Sequence, residues 1–247
     1  ILRFAGWPDE DTRLDAGLTT LMAREWSQTN ALALIQDTVA YGGGHVVMDA
    51  RGSVRFLNRH RFVNEVPTVA EYRASDNTEA EHADFSPWVD DSGVANVVEV
   101  ARIGGGTVQV SDAASIARFG RIKGEAIPLG ADTDAESLIH AQWQLSRTAE
   151  PLVRVDTAKW RPDTAGGDLW PLILSREFGD RVLLGELPTT APSDELDMIV
   201  GRVAHVWENG ATWETPLTLE PAQIDQMGVC DHPVYGIADD PLCVAGY

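Results

Sequence analysis

Closely spaced turn signals constrain this sequence more than any other feature. Gly42-Gly43-Gly44, Asp49-Ala50-Arg51-Gly52, Gly104-Gly105-Gly106 and Asn209-Gly210 each separate short apolar runs. Glycine, Asn and Asp supply the backbone conformations of tight hairpin turns, so the runs between them read as strands rather than long helices. A 44% hydrophobic and 23% charged composition is that of a globular chain. No stretch reaches the roughly 18 apolar residues of a membrane helix, and the N-terminus lacks a basic region followed by an apolar run. The chain opens at Ile1, in what reads as the middle of an ordered segment, which fits a processed product or the ordered part of something longer.

Residues 12–41 read as two helical pieces. In the second, Asn30 is the N-cap and Leu32, Ile35 and Val39 make an apolar face. Gly42-Gly43-Gly44 then follows a helix and precedes a strand, which is the reverse of a phosphate loop; a helix C-cap and turn is the better reading, with His45 a strand residue. His45 to Asn58 alternates about Asp49–Gly52 and forms a hairpin. Residues 64–92, with Pro67 and Pro87, hold no sustained period and read as an extended connection. Val94–Ile103 and Thr107–Val110 make a second hairpin. After Asp112–Gly120 and a polar loop comes Thr133-Asp134-Ala135-Glu136, a capping box in which the Thr133 hydroxyl accepts from an amide and Glu136 reaches back. This helix runs to about Arg147 and buries Leu138, Ala141 and Leu145, with Trp143 nearer the edge; Pro151 bars its continuation. The final third is β-rich: Leu152–Asp156 alternates, Leu172–Leu184 bends at Phe178-Gly179-Asp180, and Met198–Trp207 returns through Asn209-Gly210 to Trp213–Leu219. The expected fold class is α+β, mostly β: small β-barrel-like domains with a helix-plus-hairpin domain. Its expected division is 1–63 (helix plus hairpin), 64–111 (connection and hairpin), 112–222 (barrel-like, with one helix) and 223–247 (C-terminal tail).

Charge narrows the partners. With 38 Asp and Glu against 19 Lys and Arg the net charge is −19, and Lys123 and Lys159 are the only lysines. Phosphate backbones and anionic leaflets are bound through basic clusters, so sequence-specific nucleic acid and membrane surfaces are not expected partners.

Candidate chemistry is sparse. Ser115, His140 and Asp180 lack a Gly-x-Ser-x-Gly elbow, and Ser115 fits a local turn hydrogen bond better. Asp90 and Asp91 beside Trp88, with Glu79, Glu81 and Asp84, resemble a glycosidase pair or cation loop in composition, but no Asp-x-Asp-x-Asp-Gly loop is present and a solvated loop is preferred. His60, His82, His205 and His232 have no ligand spacing, and His205 reads as a packed or edge residue. Cys230 and Cys243 leave three readings open: two reduced thiols, a disulfide, or, with His232, a metal site without paired cysteine spacing. Trp207 and Trp213 straddle Asn209-Gly210 as a cross-strand pair, the competing view being an exposed aromatic platform for glycans. No catalytic residue, metal or cofactor is assigned.

The order of these pieces resembles tail proteins of long-tailed phages: helix, Gly43-Gly44, strand, Asp49-x-x-Gly52, then Val54-x-Phe56-x-x-Arg59; Asn96-x-Val98-x-Val100; Asp112-x-x-Ser115-Ile116-x-x-Phe119-Gly120-Arg121; Pro151-x-x-Arg154-Val155; Gly179-Asp180-Arg181-Val182; and Trp213-x-Thr215-x-Leu217-x-Leu219-x-Pro221-Ala222. Phe119 stands where Tyr is usual. The match covers about 80% of the chain, and its specificity lies in the serial order, since no single element is distinctive. The resemblance implies a minor tail protein of the baseplate-hub, or tail-tip hub, type in a siphophage or prophage. It implies a homotrimer that mimics a six-fold ring, with a first barrel domain before residue 1 and neighbours among tail-tube, tape-measure and fibre proteins. The structural motif it marks is Gly43, Gly44, Asp49, Gly52, Asp112, Ser115, Gly120, Arg121, Gly179, Asp180 and Trp213. Such a virion protein is assembled in the host bacterial cytoplasm. Two other readings stay open: a glycan-binding or carbohydrate-active tail module, and the hub of a phage-like injection system. Three copies would carry roughly −57, and acids facing a lumen would discourage departing DNA from adhering.

Overall fold

The computed structural model describes residues 1–3, 5–23, 30–59, 61, 70–73, 87–162, 169–185, 187, 193–208, 212–222, 228–229 and 243–244. The strands are β1 (Thr12–Leu14), β2 (His45–Met48), β3 (Val54–Leu57), β4 (Ala70–Arg73), β5 (Trp88–Asp90), β6 (Val97–Arg102), β7 (Thr107–Ser111), β8 (Ile127–Leu129), β9 (Leu152–Trp160), β10 (Arg181–Gly185), β11 (Leu196–Val203), β12 (Val206–Glu208), β13 (Thr212–Pro221), β14 (Gly228–Val229) and β15 (Cys243–Val244). The helices are α1 (Ala31–Gly42), α2 (Ala113–Phe119), α3 (Asp134–Thr148) and α4 (Leu169–Leu174). The fold is α+β and mostly β. Two compact units result, 1–61 with 92–151 and 225–247, and 62–91 with 152–224. The division differs from the expected boundaries because the chain leaves the first unit and returns to it, so α3 belongs with the hairpins before it rather than with the strands after it.

In the first unit, β1 pairs parallel with β3, and β3 antiparallel with β2. The first helical piece expected over residues 12 onward is instead a strand followed by non-helical chain through residue 23. Leu14, Leu18 and Leu21 do have helical spacing, but Gly17 weakens a helix and β3 satisfies the backbone of residues 12–14. The second piece forms as α1, with Asn30 Oδ1 accepting from the Leu32 amide at 2.8 Å. Its inward face is rotated from the expected one: Leu34 is buried and Tyr41 packs on the neighbouring core, while Leu32 is 61% exposed. The pattern admits both faces, and burial of the larger Tyr41 side chain goes with the second.

β7, β6 and β8 form a second three-stranded sheet, with β6 antiparallel to β7 and parallel to β8. α3 lies on it, and Val98, Val100, Leu129, Ala131 and Ala141 form a core backed by Tyr41, Val110, Ile127 and Leu145. Leu138, expected inside, is 39% exposed; Ser137, His140 and Ala141 take the buried positions. Thr133 Oγ1 accepts from the Glu136 amide at 3.2 Å, but the Glu136 carboxylate accepts from the Thr20 amide instead of closing the capping box. β14 and β15 make a short parallel pair.

The second unit is a curled sheet, half of a barrel, in the order β4-β10-β11-β13-β9-β5, with β12 on β13. Register shifts between Val200 and Arg202 and between Leu217 and Leu219 mark bulges, which bend and twist strands. Its hydrophobic core includes Val155, Trp160, Ile173, Val182, Met198, Val200, Leu217 and Leu219. Two corrections fall here. The segment expected to be an extended connection contributes β4 and β5, which are too short to show a period. The first apolar run of 172–184 belongs to helix α4, where Pro171 sits in the opening turn and tolerates its missing amide. Asn209 and Gly210 lie outside the described residues, but the strands flanking them pair as expected, Trp207 opposite Trp213.

Candidate functional site

The motif residues of the first unit form two fold-setting clusters. In the first cluster, α1 ends at Gly43, which has φ +66° and donates to Ala40 and Val39 carbonyls. That left-handed cap is where glycine costs least. Gly44 is set by approach rather than by φ: a Cβ there would lie 2.8 Å from Phe56 Cε2 and would also collide with the Leu57 carbonyl. Asp49 Oδ1 then accepts from the Arg51 and Ser53 amides at 3.0 and 2.9 Å, and Gly52 closes the turn. Those bonds, led by Ser53, hold the Asp49 carboxyl below its usual range.

The second cluster is buried and polar. Asn96, fully buried on the strand side of the core, donates from Nδ2 to the Gly120 carbonyl at 2.7 Å and to Ser115 Oγ at 3.2 Å, and accepts on Oδ1 from the Ile122 amide at 2.8 Å. Ser115 Oγ donates onward to the Ala149 carbonyl at 2.5 Å. Asp112 caps α2 through the Ser115 amide at 2.9 Å. The Asn96 side chain, immediately before β6, thus ties α2 and the loop after it, and Ser115 carries the tie on to the end of α3. The local turn bond expected of the Ser115 hydroxyl is corrected: its partners are 34 and 19 residues away in sequence. Arg121 stands exposed just past this knot. The sequence marked Asn96, Asp112 and Ser115 separately; nothing in their spacing showed that they share a network.

In the second unit, the Gly179 amide donates to Val200 and the Val200 amide to Asp180, both at 2.8 Å, so the Gly179-Asp180 turn is hooked onto β11. The Asp180 carboxylate accepts from the Glu177 amide and faces Arg176 at 3.4 Å. Trp213 sits edge-on to Trp207 and Trp170, each at 5.5 Å between centroids, and its indole N–H donates to Thr215. His205 packs on the same ring from the exposed link between β11 and β12, outside the strand its sequence suggested. Trp207 is 60% exposed.

The Ser115 hydroxyl, weighed in the sequence as a nucleophile and set aside, donates to the Ala149 carbonyl. Asp90 is held by Arg154 at 2.5 Å on the neighbouring strand, while Glu79, Glu81 and Asp84 lie outside the described residues. So does Cys230, and only the backbone of Cys243 is described, in β15. Among the described residues no group of three His, Cys, Asp or Glu could hold a metal ion, and no helix is long and apolar enough to cross a membrane.

No protein-family model matches this sequence, and no curated protein matches it significantly. Solved structures do match the fold. The 43 kDa tail protein of prophage MuSo2 from Shewanella oneidensis is 12% identical with a TM-score of 0.55, over 86% of this chain and 62% of its own. The tail protein from Neisseria meningitidis MC58 is 15% identical with a TM-score of 0.57, over 90% of this chain and 66% of its own. The chain therefore spans less than two thirds of either neighbour.

Proposed function

We propose that this chain is a structural subunit of a phage tail, of the baseplate-hub type, that works as a homotrimer in the virion and has no catalytic activity. The observation that carries the reading is the likeness of fold to a prophage tail protein and a second tail protein, across 86% and 90% of the chain. The motif residues support it from another side, because where their partners are described they are spent on turns, caps and a buried knot rather than on an open reactive site. In this reading the subunit joins the tail tube to fibres and surrounds the end of the tape-measure protein and the DNA exit path. Its acidic residues would face the bore, where like charge repels DNA. Sedimentation equilibrium of the purified chain tests the trimer: the expected mass is three times 26.8 kDa. A monomer at all concentrations, with the chain missing from purified particles by mass spectrometry, would overturn the reading.

A further inference from the structure

We propose that Arg59 and His140 form a site for a small monoanion of chloride size in the first unit. Arg59 is 3% exposed. Its Nη1 donates to Thr19 Oγ1 at 2.8 Å and to the Gly42 carbonyl at 3.4 Å, but Nε and Nη2 are buried without a hydrogen-bond partner. His140 is equally buried, and its Nδ1 also has no partner. Both groups flank one indole: the Arg59 Cζ lies 5.9 Å from the Trp143 ring centroid and the imidazole centroid 5.5 Å from it. Three unsatisfied, buried nitrogens therefore lie around one indole ring.

Chemistry sets the ligand. A buried guanidinium without a counter-charge is strongly unfavourable, and its Nε–Nη2 edge is the fork that grips anions. No ion pair to Arg59 exists among the described residues. Glu136 is near enough for its charge to favour the guanidinium, yet its carboxylate accepts from Thr20. Arg147, with Cζ 5.3 Å from the Trp143 ring centroid, adds positive potential. The imidazole completes the set when it carries its proton on Nδ1. Burial first, and then the charge of Arg59, push His140 down to about 4, so at neutral pH it is an uncharged donor. Size follows from the donor set: two guanidinium N–H groups and one imidazole N–H, on residues only 3% exposed, suit a monatomic ion, whereas a phosphate group carries more oxygens than these donors can satisfy.

Crystals of the full chain grown in bromide, measured at the bromine edge, test the site. The expected result is an anomalous peak within hydrogen-bonding distance of Arg59 Nη2 or Nε and His140 Nδ1. Ordered water alone in that position, or Arg59 turned onto the Glu136 carboxylate, overturns the proposal. Melting provides a second arm at constant ionic strength, with chloride exchanged for the bulkier methanesulfonate. The wild-type chain should melt about 2–4 °C lower without chloride, the size expected for a site at roughly fivefold saturation. Arg59→Met and, should that variant not fold, His140→Phe should abolish the difference. Equal melting of the wild type in both salts, or a difference that survives in the variant, also overturns it.

Discussion

Replacing Asn96 by alanine tests how the first unit is held together. The substitution removes the hydrogen bonds to Gly120, Ser115 and Ile122. Each is worth about 1 kcal/mol net, and a partner left unsatisfied in the interior adds about 1–3 kcal/mol. Gly120 and Ile122 sit at the surface and regain water, whereas Ser115 is fully buried and does not. Together with the small cavity left behind, the loss should be about 4–6 kcal/mol. Because the two units need not unfold in one step, a single global transition is the wrong readout. Hydrogen exchange followed by mass spectrometry in increasing urea separates them: peptides from β6 and α2 should lose protection in Asn96→Ala, while those from β9 and β13 keep it. A Ser115→Ala, Asn96→Ala cycle should show a coupling of about 0.5–3 kcal/mol. A loss under about 1 kcal/mol, or an equal loss in both units, would refute the knot as the organising contact.

Other consequences follow from the same geometry. Gly44→Ala should lower the melting temperature more than Gly52→Ala, since the first meets the Leu57 carbonyl and Phe56 while the second, at φ +82° with open space around it, bears conformational strain of about 1–2 kcal/mol. Asp112→Ala should cost about 1 kcal/mol by uncapping α2, measured by urea midpoint in the first-unit peptides. In chloride-free buffer, unfolded His140 takes a proton near its ordinary 6.5 while the folded residue resists until about 4, so the unfolded chain binds more protons in between. Stability should therefore fall as pH drops from 6.5 to 4, by at most about 3 kcal/mol, and the part due to this residue should vanish in His140→Asn. Trp207→Ala and Trp213→Ala should couple by about 0.5–1.5 kcal/mol in a double-mutant cycle read by Trp fluorescence and urea.

What was legible in the sequence was mostly local. The cap at Asn30, the hairpin about Asp49–Gly52, the second hairpin at Gly104 and the Thr133 bond to Glu136 all depend on residues within a few positions of one another. Misreadings came where distant chain decides. Residues 12–14 have β3 as their partner, and the buried face of α1 depends on where Tyr41 packs. β4 and β5 exist because β10 and β9 offer edges, not because residues 64–92 announce strands. The polar network was half visible: the Asn, Asp and Ser were each marked, but a side chain that bonds an element 34 residues away leaves no spacing to read. Arg59 closes the Val54-x-Phe56-x-x-Arg59 pattern and His140 is weighed for a triad, but neither pattern signals burial, since burial of a charged residue is a property of the packed unit.

In the proposed reading this chain is a structural ring subunit at a phage tail tip. A cryo-electron microscopy map of intact particles made from the genome that encodes it tests that directly. The account predicts three copies around the tail axis with Asp and Glu side chains lining the bore. Particles without the chain, or a bore lined by its arginines with the acids outside, would contradict it: the first outcome removes the tail role, and the second the electrostatic one.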